Sequence, residues 1–190
     1  MKRFLIFLII AFMVFATTSY ANDNNKSNKS KKASLNGDAR LGVLYLFQKV
    51  AADGPWPIVH GGAWGTLKHN LWGKTFNFDF QGRNLIPNEE YTLIYYPDPW
   101  PGTGLICLGS DRANPAGNLN IHDHNFDIGT SLPATNDENW APIYPSGAVG
   151  AKIWLVLSAD VDCQAPQMIG WNPDSYLFEN NLINFELLGN

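Results

Sequence analysis

Ile121-His122-Asp123-His124 sets two imidazoles two residues apart, the spacing at which an extended strand presents both on one face. Two histidines so placed can grip a transition metal when a third ligand arrives from elsewhere. Asp127 follows closely, and His60, His69 or Asp79 could come in from neighbouring strands. The competing reading is a polar strand end in which His, Asp and Asn bond to turn backbone, and no local spacing fixes the third ligand. A divalent metal at His122, His124 and Asp127 is therefore the one cofactor to look for; otherwise none is expected.

An acid–base pair of carboxylates would mark a glycosidase. Glu89-Glu90 follows Pro87-Asn88 and precedes an apolar run, so it reads as a solvated turn. Asp160 and Asp162 end another run beside Cys163 and read the same way. Neither a Gly-x-Ser-x-Gly elbow nor a glycine-rich phosphate cradle opening a helix is present. No catalytic residue is assigned.

The seven tryptophans are the stronger feature. Four lie beside or close to proline, in Pro55-Trp56-Pro57, Pro99-Trp100-Pro101, Trp140-Ala141-Pro142 and Trp171-Asn172-Pro173. Proline stiffens a loop, and an indole on a stiff loop offers a flat apolar face to a sugar ring or a protein surface. The bland alternative is that each ring plugs an end of the core while its N–H meets a loop carbonyl. As a group, Trp56, Trp100, Trp140 and Trp171 are the binding candidates, with carbohydrate or another extracellular protein as partner.

The elements that must position these side chains begin well inside the chain. Lys2 and Arg3 precede an uncharged run from Phe4 to Ala16, and Ser19-Tyr20-Ala21 places small residues where a signal peptidase cuts. The pattern predicts a signal peptide over 1–21 and a mature chain from Asn22. The run is shorter than the roughly 20 residues of a spanning helix, so no stable membrane insertion is expected after cleavage. Residues 22–34 are almost entirely Asn, Ser, Lys and Asp and predict a disordered polar and basic tail.

From Leu35 to Asn190 the length predicts one domain with a core of its own. This segment holds 7 Lys and Arg against 16 Asp and Glu. Phosphate backbones need clustered cations, so nucleic acid is excluded as a partner. The domain has two cysteines, Cys107 and Cys163, which an exported chain most simply pairs in a disulfide.

Period-2 alternation and β-branched or aromatic residues dominate the domain. Phe76-Asn77-Phe78-Asp79-Phe80 is the cleanest case, with three Phe on one face. Further strands are predicted over 40–50, 64–69, 91–96, 104–110, 119–121, 151–158 and 182–188, separated by Gly- and Pro-bearing turns. Frequent short strands of this kind predict an all-β fold, a single antiparallel β-sandwich of immunoglobulin-like or Greek-key type, with a closed β-barrel as the alternative.

The segments Tyr91 to Gly102, Gly104 to Gly109, Gly150 to Leu157 with Asp160 to Cys163, and Gly170 to Pro173 with Tyr176 to Glu179 resemble a family of uncharacterised secreted proteins of archaea and bacteria. The resemblance spans most of Leu44 to Phe185. It implies one coherent secreted, β-rich domain and carries over no activity, cofactor or catalytic residue. The expectation is thus an extracellular or periplasmic β domain that binds rather than catalyses. Its rival is a metal-dependent or carboxylate-based extracellular enzyme centred on His122 and His124.

Overall fold

The strict alternation of Phe76-Asn77-Phe78-Asp79-Phe80 builds a strand with its phenyl rings buried and Asp79 in solvent. In the computed structural model residues 41–51, 56–132 and 150–189 are described; the expected signal segment, the tail and Trp140 lie outside them. Among the described residues twelve strands run in chain order: β1 Leu41–Phe47, β2 Trp64–Asn70, β3 Trp72–Gly73, β4 Phe76–Arg83, β5 Glu90–Tyr96, β6 Ile106–Arg112, β7 Leu119–Phe126, β8 Lys152–Leu157, β9 Val161–Asp162, β10 Gln167–Met168, β11 Leu177–Glu179 and β12 Glu186–Leu187. Among the described residues there is no α-helix, only 3-10 turns at Ser158–Asp160 and Pro173–Ser175. None is long and apolar enough to cross a membrane.

Eight strands form one antiparallel sheet in the order β6-β5-β8-β11-β1-β2-β4-β7. Its two end strands come back alongside each other. A Cβ on Gly109 of β6 would lie 2.7 Å from Ile121 Cγ2 of β7, so only glycine allows that approach. The fold is all-β as expected, and the barrel alternative fits it: one curled, nearly closed sheet wraps a core of Leu44, Leu46, Leu67, Phe76, Phe78, Phe80, Leu93, Ile121, Leu155 and Leu177. The late strand β11 slots between β8 and β1 and stitches the two halves of the sheet together.

β5 and β8 are buried along almost their whole length. One face of each looks into the barrel; the other lies under a second apolar layer of Ile94, Tyr96, Leu105, Trp154, Val156, Val161, Met168, Tyr176 and Phe178. That layer is capped by loops and by the β9–β10 hairpin rather than by a second sheet, which is why both strands read as apolar on both faces. Cys107 of β6 is disulfide-bonded to Cys163 in the turn after β9, with Cα atoms 5.9 Å apart, and ties this outer layer to the sheet.

Candidate functional site

Aromatic side chains from distant parts of the chain meet on the outer layer. Trp171, just after β10, is their hub, with its ring centroid 5.4 Å from Trp100, 6.1 Å from Trp56 and 6.1 Å from Trp154. Tyr176 lies 5.8 Å from the same indole. Under it Tyr96 stacks on Trp154 at 3.7 Å, and Trp56 meets Phe178 edge-on at 4.8 Å. Offset and edge-to-face contacts of this kind add about 1 kcal/mol each beyond area burial, so the cluster supports itself. Its upper rim is wet: Trp100 is 51% exposed and Trp171 41%.

The loops that carry these rings are held by polar contacts. Lys152, buried at the start of β8, pairs with Asp98 and fixes the base of the Trp100 loop. Gly102 N–H donates to the Pro99 carbonyl at 2.8 Å, and Met168 N–H donates to the Pro101 carbonyl at 2.8 Å. The Trp171 loop is organised by the buried Asp160. Its carboxylate accepts from Asn172 Nδ2 at 2.8 and 3.0 Å and from the Tyr176 hydroxyl at 2.5 Å. Its backbone carbonyl accepts from Ile169 N–H at 2.8 Å and Gly170 N–H at 3.1 Å. A Cβ on Gly170 would collide with Asp160 Oδ1, so residue 170 has room for hydrogen alone. Burial, reinforced by the Asp160 carboxylate, pushes the Tyr176 phenol far above its ordinary pKa and keeps it a donor. Trp56 itself sits at φ 54°, a left-handed backbone that an L-residue reaches at a cost of about 1–2 kcal/mol, offset here by packing on Phe178. The Trp154 indole N–H is buried and has no acceptor among the described residues.

The histidine motif has a different setting. His122 and His124 stand exposed on β7 with ring centroids 5.9 Å apart. His124 Nε2 lies 3.1 Å from Asp79 Oδ1, and Asp79 is the cross-strand partner of His122. Asp127 is not drawn toward them; its carboxylate accepts from Gly129 N–H at 3.0 Å and caps a turn. His69 is buried on β2 with Nδ1 2.9 Å from the Asn70 carbonyl, and His60 lies exposed in the turn before β2. Among the described residues no three His, Cys, Asp or Glu side chains are grouped so as to hold a metal ion. Beside the pair, Thr66, Lys68, Asp79 and Gln81 line an open groove of about 350 Å³.

Two further carboxylates singled out in the sequence are engaged in a surface pair and a turn. Glu90 pairs with Arg112 at 3.1 Å on the surface. Asp162 accepts from the backbone N–H groups of Ala165 and Gln164, which hold its pKa below the usual carboxylate value. Of the four proline-flanked tryptophans, three converge, and Trp140 lies outside the described residues. Sequence reading missed Asp160 as the organiser of the site, and missed Tyr96, Trp154, Tyr176 and Phe178 as its floor. The available signal was the apolar outer face of β5 and β8, which requires a covering layer. Compared with protein-family models, curated proteins and solved structures, the chain matches none.

Proposed function

We propose that the protein is a secreted, non-catalytic module that binds carbohydrate on the ledge formed by Trp100 and Trp171. The polarised C–H groups of a pyranose face complement the negative face of an indole, and ring hydroxyls turn outward to water or to the polar rim. The observation that carries this reading is the convergence of Trp56, Trp100 and Trp171, with the outer two rings exposed on loops already locked in place. Binding to such a preset surface spends little on ordering the receptor. Export is supported by the leader pattern at the N-terminus and by a disulfide that suits an oxidising compartment. The rival enzyme centred on His122 and His124 lacks a gathered third ligand among the described residues.

A glycan-array screen of the oxidised protein, followed by fluorescence titration of the hits, tests the proposal. The tryptophan emission is expected to shift on saturation, and Trp171→Ala is expected to weaken binding at least about tenfold, the equivalent of one lost stacking contact. An array silent for every sugar, or affinity unchanged in both Trp100→Ala and Trp171→Ala, would refute it.

A further inference from the structure

Building on the carbohydrate reading above, we infer that the ledge is one end of an aromatic row that crosses the sheet to Trp64, and that its ligand is an extended, uncharged, single polysaccharide chain. Strand register carries the row. Trp154 pairs with Phe178, Phe178 with Phe47, and Phe47 with Trp64. Directly paired residues of an antiparallel ladder project to the same side. That side is the outer one, because Leu46 and Leu177, the chain neighbours of Phe47 and Phe178, are buried in the barrel core. Trp56 and Trp171 cover the Trp154–Phe178 end. Beyond it the row opens to solvent: Phe47 stacks with Tyr45 at 6.3 Å, Tyr45 is 51% exposed and Trp64 39%. Trp154 and Phe178 are buried and support the rings above them, whereas Phe47 and Trp64 lie on neighbouring strands about 4.8 Å apart, close to the advance per ring of an extended pyranose chain, so successive sugars can meet these two rings.

Ring tilt selects the physical form of the polymer. Trp100 stands at 80° to Trp171, and Trp171 at 54° to Trp56. Planes so inclined cannot rest together on the flat face of a crystalline fibre, but they suit the successive faces of one twisting chain. Charge selects its chemistry. Lys152 and Lys49 are buried, tied to Asp98 and to the Glu179 carbonyl, and the exposed Lys68 stands four residues along β2 from Trp64 with the exposed Asp79 as its cross-strand partner. Arg83 lies past Trp64 as its cross-strand partner, with its guanidinium engaged by the Gly82 carbonyl and Gln81 Oε1. Asp174 is exposed at the ledge end, so a uronate or sulfated chain would meet repulsion there.

Isothermal titration of the oxidised protein with soluble neutral β-glucan and β-mannan oligosaccharides, from disaccharide to heptasaccharide, tests the row, with oligogalacturonates of the same lengths as the charged arm. Affinity for the neutral series is expected to climb with each added sugar until the row is spanned. Trp64→Ala should weaken the hexasaccharide about tenfold, leave the disaccharide unchanged, and be largely rescued by Trp64→Tyr. Affinity that stops rising at the disaccharide, or a hexasaccharide indifferent to Trp64→Ala, overturns the row while Trp171-dependent binding keeps the ledge. Tighter binding of oligogalacturonate overturns the uncharged class. No neutral sugar bound at any length overturns ledge and row together.

Discussion

Asp160 shows how much one buried carboxylate can organise. It receives two side-chain donors and, through its own carbonyl, two backbone donors from the segment that leads into Trp171. Replacing it with Asn exchanges an ionic acceptor for an amide whose NH2 faces the Asn172 and Tyr176 donors. Charge-assisted hydrogen bonds are worth about 1.5–3 kcal/mol each, and a stranded donor adds its desolvation cost. Asp160→Asn is therefore expected to lose about 3 kcal/mol of stability in urea denaturation and to loosen Trp171, seen as a red shift of its emission. Asp160 was indistinguishable from Asp162 in the sequence, since both close a strand beside a turn. What separates them is the neighbourhood: Asp162 meets only the backbone of its own turn, whereas Asp160 meets side chains that arrive from ten or more positions further along.

At the scale of elements, the β1–β2 pair contains a titratable weak point. Gly42 lies opposite His69, whose imidazole is buried against Phe76 where β1 leaves no space for a side chain. Burial lowers the His69 pKa from 6.5, opposed by its bond to the Asn70 carbonyl. An unfolded chain takes up a proton on this ring near pH 6.5, while the folded chain does so only at lower pH. Its contribution to stability is thus complete above pH 6.5 and falls away as pH drops through the folded value, at up to about 1.4 kcal/mol per pH unit. Urea midpoints measured at pH 7 and pH 5.5 should differ accordingly, and His69→Gln should shrink that difference. β4 was legible before folding because one of its faces is wet, so alternation shows. β11 was not, because three residues carry too little pattern, and its place between β8 and β1 depends on tertiary partners. The proline-flanked tryptophans could be picked out by type, but their meeting depends on that insertion, which no local spacing encodes.

For the whole molecule, the decision between sandwich and barrel turned on what covers β5 and β8. Apolar residues on both faces of these strands suit a central strand in either architecture; here the second cover is made of loops, a short hairpin and indole rings. That cover is clamped by Cys107–Cys163, which closes a loop of sequence separation 56. Chain-entropy arguments give such a cross-link about 4 kcal/mol of stabilisation. Reduction, or paired Cys107→Ala and Cys163→Ala, is expected to lower stability by roughly that amount in denaturant titration. The proposed sugar binding should suffer more than secondary structure, because the barrel core lies elsewhere while the hairpin leading to Trp171 is released.

The position of that clamp has a consequence for timing. A newly made chain with both thiols still reduced has its strands but not the fastening between β6 and the turn after β9, so the loop that carries Trp171 is the part expected to set last.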